Sequence, residues 1–250
     1  MGGHSHWAGI KHKKALLDAK RGKAWTKIIR EITIAAKLGG GDLAGNPRLR
    51  KAVDDARNAN MPQDNIKRAI QRGTGQIPGA AYEELTYEGY APAGVALLID
   101  VTTDNRNRTL NEIKTVFTKN GGSLGAEGCV AWMFKTKGLI RVPVQGSPDA
   151  DTLLGHVLDL GAEDLNTESD EHLVTTAPED LEKVAEGLKA LKIPVAAADV
   201  SRVPQSQVPV PPDQASHVLK LIEALEELDD VKSVSANFDI PEEVLAKFAA

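Results

Sequence analysis

The sequence predicts an α+β protein: an N-terminal helical domain plus two ferredoxin-like α/β sandwich domains, the third domain inserted into the second. Three observations carry this. Apolar residues recur at helical spacing through the first 75 residues, short β-rich runs alternate with helical patterns beyond them, and the charge divides at the same place. Residues 1–75 hold sixteen Lys and Arg against six acids, a net of +10; the totals of 30 and 35 leave 14 basic and 29 acidic residues for 76–250, a net of −15. Such asymmetry marks a polyanion-binding part joined to one that is not.

The basic segment reads as successive short helices. In Ala24 to Leu38, Trp25, Ile28, Ile29, Ile32 and Ala36 share one face, and Gly39-Gly40-Gly41 ends the pattern. Asn46-Pro47 supplies a cap followed by proline at the first helical position, and Leu49, Ala52, Val53 and Ala56 repeat the stripe. Pro62 and Asp64 open another helix with Ile66, Ala69 and Ile70 inward and Gly73 as its stop. Residues 73–81 read as a linker.

Beyond it the period changes. VALLIDV (95–101) is a buried strand, 107–119 a helix, and Cys129 to Phe134 the next strand, with GGSLGAEG (121–128) a flexible turn rather than a phosphate cradle. From Gly138 the order is strand (139–144), helix (149–160), strands (162–167 and 172–176), helix (178–191), strand (195–203). This βαββαβ order is that of a ferredoxin-like sandwich. A proline-rich connector, VPQSQVPVPP, leads to one helix (213–228) and one strand (231–238), too few for a domain. They are expected to complete the middle segment, which gives 1–75 as the basic helical domain, 76–136 plus 205–250 as a discontinuous α+β domain, and 137–204 as the insertion.

Function classes narrow from composition. No run approaches the roughly 18 apolar residues of a membrane span. The single cysteine, Cys129, forbids an internal disulfide and fits a reducing cytoplasm, where the protein is expected to reside. Nucleophile elbows, metalloprotease and kinase motifs and dinucleotide fingerprints are absent from the sequence. The protein is therefore read as no enzyme, with no cofactor, no small-molecule substrate and no membrane partner. His4, His6 and His12 lack a carboxylate or thiol to complete a metal set, so no metal is expected.

The basic helices point instead to nucleic acid. Long cationic side chains on rigid helices meet phosphates spaced along a backbone, and binding releases counterions. The candidates are Lys11, Lys13, Lys14, Arg21, Lys23, Arg30, Arg48, Lys51, Lys67, Arg68 and Arg72, with Trp7 as a stacking residue; Trp25, on the apolar stripe, is read as core. Arg68 and Arg72 lie four apart on one face. A secondary polar cluster, Asn105, Arg106 and Arg108, sits between a strand and a helix, where Asp104 or Asn107 is expected to cap the helix.

HSHWAGIKHKK, DAKRGKAWTKIIREI, NPRLRKAVDDARNANMPQDNIKRAIQRGTG, YEGYAPAGVALLIDVTTDNRNRT and FTKNGGSLGAEGCVAWMF resemble, in order and spacing, the YebC family of bacterial proteins, whose mitochondrial relative is a translational activator. The resemblance is dense from about residue 3 to 138 and looser to the C-terminus. It implies a three-domain α+β fold, no catalytic activity and a role in gene expression: DNA-binding transcriptional regulation, or translation at ribosomes stalled on proline-rich sequences. The acid-rich remainder, repelled by a long duplex, is more easily placed in a ribosomal cleft, so ribosomal RNA is the alternative target. APAG at 91–94 departs from the family pattern, which reads more like GPGG. A protein-interaction scaffold, with the basic domain incidental, is the remaining class.

Overall fold

The computed structural model describes residues 21–168, 170–241 and 244–245. In chain order they form α1 (Arg21–Gly39), α2 (Pro47–Asn58), α3 (Gln63–Gly73), β1 (Glu83–Tyr90), β2 (Ala96–Thr103), α4 (Arg106–Lys119), β3 (Ser123–Leu124), β4 (Phe134–Pro143), α5 (Ala150–Leu160), β5 (Asp164–Thr167), β6 (Glu171–Thr176), α6 (Leu181–Ala190), β7 (Ala197–Pro204), β8 (Val208–Pro209), α7 (Pro212–Glu226), β9 (Val231–Ala236) and β10 (Phe238–Asp239). The result is an α+β fold with a helical N-terminal unit and two antiparallel four-stranded sheets.

Small apolar side chains let α1, α2 and α3 pack closely. Their shared core is Ile32, Ala35, Ala36, Leu49, Ala52, Val53, Ala56, Met61, Ile66 and Ala69. At Gly73 the approach is closest, for a Cβ there would stand 2.3 Å from the Thr33 carbonyl oxygen. Asn46 locks the corner. Its side-chain oxygen accepts from the Leu49 N–H at 3.0 Å, while its amide donates to the Ala35 and Gly40 carbonyls at 2.8 and 2.9 Å. One side chain thus caps the start of α2 and satisfies carbonyls at the end of α1. Trp25 packs on this core, its indole N–H donating to the Ala59 carbonyl at 3.0 Å.

The first sandwich orders its strands β3-β1-β2-β9, all neighbours antiparallel. Alternation places Leu85 and Tyr87 of β1 and Leu97, Ile99 and Val101 of β2 against α4 and α7. A bulge between Asp100 and Val101 turns both Val231 and Val234 of β9 inward, leaving Lys232 and Ser233 exposed between them. The second sandwich follows βαββαβ with order β5-β6-β4-β7, the ferredoxin-like arrangement. The first reaches the same spatial order of directions by a different path: its opening hairpin supplies the two central strands, and its last strand fills the free edge.

One expectation is corrected and one strand is added. Glu83–Tyr90 is a full strand that the periodicity does not mark, and Cys129 to Phe134 is no strand; a 3₁₀ turn spans Ala131–Met133 and β4 begins at Phe134. Glu88 explains the second. Its carboxylate, 5% exposed, accepts the backbone N–H groups of Gly128, Val130 and Ala131 at 2.6, 2.6 and 2.8 Å. Those donors are therefore lost to any neighbouring strand. Burial alone would raise the Glu88 carboxyl; the three N–H groups outweigh it and hold it below its ordinary value. The glycine-rich stretch does end in an anion cradle, and the chain's own carboxylate fills it. The same burial and the nearby Glu88 charge push the Cys129 thiol up, away from the reactive thiolate.

The departure at 91–94 also has a structural counterpart. Ala93 sits at φ 62°, ψ 12°, in the left-handed region that glycine enters without steric cost. An alanine there is strained by about 1 kcal/mol. Ala93→Gly is accordingly expected to stabilise the first sandwich, by somewhat less than that because glycine also loosens the unfolded chain; a rise in the urea midpoint with unchanged slope would register it.

Candidate nucleic-acid interface

The N-terminal candidates Trp7, Lys11, Lys13 and Lys14 lie outside the described residues, as do His4, His6 and His12; Arg21 and Lys23 begin α1, and their side chains are likewise outside them. The rest divide into two sets with different surroundings.

Lys67, Arg68 and Arg72 are exposed on α3, opposite the buried Ile66 and Ala69, and none has an ion-pair partner among the described residues. Arg72 is also positioned. A Cβ at Gly79 would fall 2.7 Å from its Cδ, so the linker backbone lies directly on the methylene stem while the charged end remains outside. Beside it a groove of about 430 Å³ runs between α1, α3 and residues 75–82. Lys37 closes the groove's far side and donates to the Tyr82 carbonyl at 2.9 Å. The arrangement presents exposed cations along one helix edge, Arg72 among them held by its stem, with the chemistry to hold phosphate oxygens.

Arg30, Arg48 and Lys51, named as phosphate-binding candidates, are placed otherwise: each is paired with a carboxylate. Arg48 grips two carboxylates at once: Glu31 through Nε and Nη2 at 2.6 and 3.1 Å, and Glu84 of β1 through Nη2 and Nη1 at 2.6 and 3.0 Å. Lys232 closes this network on Glu31 at 3.0 Å. Burial would raise the Glu31 carboxyl, yet Arg48 and Lys232 outweigh it and hold it low. Lys51 lies between Asp55 at 3.0 Å and Asp199 of β7 at 2.9 Å, and the neighbouring Arg50 reaches Glu182 of α6 at 2.8 Å. Glu31 and Asp55 lie nearby in the chain, but Glu84, Glu182 and Asp199 come from elements more than thirty residues away, which no local pattern announces.

Arg30 enters a tighter site. Its Nη2 contacts Asp230 at 2.9 Å, its Nη1 donates to the Asp229 carbonyl, and its guanidinium stands 5.8 Å from the Tyr82 ring centre. Asp230 is 3% exposed and also receives Arg108 at 2.7 Å and the hydroxyls of Thr103 and Thr109 at 3.0 and 2.5 Å. Burial would raise this carboxyl, but Arg108, Thr109, Arg30 and Thr103 together hold it below the ordinary aspartate range. Lys27, one turn before Arg30, donates to the Glu226 carbonyl at the end of α7 at 2.7 Å, where the helix dipole favours a cation.

The second candidate cluster is largely absorbed by this site. Arg108 spans Asp104, at 2.9 Å, and Asp230. Asn105, rather than Asp104 or Asn107, caps α4, accepting the Arg108 N–H at 3.1 Å. Arg106 alone stays outward, 3.5 Å from Glu83 and 64% exposed. Among the described residues, no group of three or more His, Cys, Asp or Glu is arranged to hold a metal ion, and no helix is long and apolar enough to cross a membrane.

A cationic helical unit seated on two acidic sandwiches defines the class of protein, and comparison with known proteins gives its family. Residues 5–76 match the TACO1/YebC protein N-terminal domain and residues 82–238 the TACO1/YebC second and third domain; the chain belongs to this family. A relative from Elusimicrobium minutum, named a probable transcriptional regulatory protein, is 51% identical over 250 residues, covering all of both chains. One of the same name from Aquifex aeolicus is 51% identical over 248 residues and 99% of each chain. The crystal structure of a conserved hypothetical protein from Aquifex aeolicus superposes with a TM-score of 0.87 at 50% identity, covering 96% of this chain and 99% of that one.

Asp230 gives the sharpest test of this geometry. Asp230→Ala leaves Arg30, Arg108 and two hydroxyls without their acceptor and is expected to cost about 3 kcal/mol in urea unfolding of the full chain. Because the folded carboxyl lies below its unfolded value of about 3.9, its contribution is complete above that pH and is lost as pH falls through the folded value. Asp230→Asn should therefore flatten the acid limb of the stability profile.

Proposed function

We propose that this protein is a non-enzymatic, nucleic-acid-binding regulator of gene expression that holds the sugar-phosphate backbone with the exposed edge of α3. The observation that carries the reading is the contrast among the cations. Arg30, Arg48 and Lys51 are paired with carboxylates, whereas Lys67, Arg68 and Arg72 stand in solvent without one among the described residues. Three adjacent unpaired cations on a helix repel one another, and a polyanion relieves that repulsion while releasing its counterions. The names of the relatives, probable transcriptional regulatory proteins, support transcription as the setting, and DNA is the target proposed for that setting. A cytoplasmic location follows from that role.

A second reading, a translation factor on ribosomal RNA, is favoured by charge. With 29 acids against 14 basic residues beyond position 75, the sandwiches would be repelled along a lengthy duplex but fit a folded RNA that offers one phosphate-lined surface. In either case the contact is to backbone first, with sequence read, if at all, by other groups.

The full chain titrated with a duplex DNA and a ribosomal RNA fragment at several salt concentrations distinguishes the targets. Arg68→Glu with Arg72→Glu is expected to weaken binding by more than about tenfold and to flatten the salt slope by about 2, with the far-UV spectrum unchanged. Undiminished affinity of the double variant would remove α3 from the interface.

A further inference from the structure

Resting on the nucleic-acid reading above, we infer that the acidic sandwiches mask part of the binding surface: Glu84, Glu182 and Asp199 occupy Arg48, Arg50 and Lys51 of α2 as stand-ins for phosphate, and nucleic acid displaces them to gain α2 as a second contact.

The contacts between the helical unit and the sandwiches are of two kinds. Asp230 is 3% exposed and Arg30 13%, with hydroxyls and a second arginine completing the shell. This is a buried junction, and it stays closed. The α2 pairs are wet: Arg48 and Glu84 are 34% and 38% exposed, Arg50 and Glu182 40% and 49%, Lys51 and Asp199 45% and 58%. Exposed pairs of this sort are weak, screened by salt and readily exchanged for another anion. Water already reaches them, so a phosphate oxygen can take the place of Glu84, Glu182 or Asp199 while Glu31 and Asp55 stay on Arg48 and Lys51. All three cations lie within the first five residues of one helix, while their partners come from three separate elements, β1, α6 and β7. That convergence on one short cationic segment is what a polyanion site would meet if its ligand were replaced from within. The buried Asp230 junction supplies the pivot that keeps the units attached once the α2 pairs open.

The test is the triple variant Glu84→Gln, Glu182→Gln and Asp199→Asn in the full chain, titrated with the same duplex DNA and ribosomal RNA fragment. The control removes three exposed acids that make no ion pair among the described residues, Glu127→Gln, Asp159→Asn and Glu186→Gln, and has the same net charge. Masking predicts that the triple variant binds about 5- to 20-fold tighter than the unaltered chain, with a salt slope steeper by about 2, and that the control changes affinity by less than twofold. Equal affinity of the triple variant and the unaltered chain would overturn the masking while leaving nucleic-acid binding intact. So would a control that tightens as much as the triple variant, since general repulsion then accounts for the gain. If neither the unaltered chain nor the triple variant binds either polymer, both the masking and the function it rests on fall.

Discussion

The carboxylate of Asp230 holds the molecule in its observed shape. It lies where α7 ends and β9 begins, so it belongs to the first sandwich, yet it is saturated by groups from three elements: Arg30 of α1, Thr103 at the end of β2, and Thr109 and Arg108 of α4. A charge so buried survives only when its lone pairs are satisfied, so each partner is fixed in turn. Through Arg30 the whole of α1 acquires its orientation, and through α1 the corner at Asn46 and the cationic edge of α3 acquire theirs.

The fold decides which of its cations meet a carboxylate and which are left over among the described residues. The helical unit and the sandwiches carry opposite net charge, and the simplest outcome would be full mutual neutralisation. Geometry prevents it. α1 and the start of α2 face the sandwiches and find Glu84, Asp199, Glu182 and Asp230 within reach, whereas α3 is turned so that its apolar stripe contacts α1 and its polar edge meets solvent. The residues available to a partner are selected by the stacking order of three small helices, itself permitted by alanines and by Gly73 at the closest crossing.

Much of this was legible in the sequence. The helical stripes, the Asn46-Pro47 cap and the βαββαβ order follow from periodicity and capping chemistry, which act over a few residues and leave a local imprint. What could not be read arises from contacts made at distance. β1 hides because the face opposite its apolar side carries Glu84, Thr86 and Glu88, and nothing near Glu88 reveals that this acid is buried with its carboxylate against the 128–131 backbone. The run from Cys129 to Phe134 has strand composition, but its donors are taken by that same acid. Arg48 and Lys51 look identical to Arg68 and Arg72 along the chain; only the fold decides which of them meets a carboxylate.

The second sandwich enters and leaves the first through adjacent strands, since Phe134 at the start of β4 pairs with Pro204 at the end of β7. Meanwhile β2 waits for β9, with Val101 opposite Val231. During synthesis the inner unit is complete and closed on itself before the outer sheet has its last edge, so maturation proceeds from the inside outward. The outer sheet's exposed β2 edge is then without a neighbour until the final residues emerge. Only when β9 arrives does Asp230 arrive with it, so the buried part of the contact with the helical unit closes after the exposed pairs to Glu84, Glu182 and Asp199.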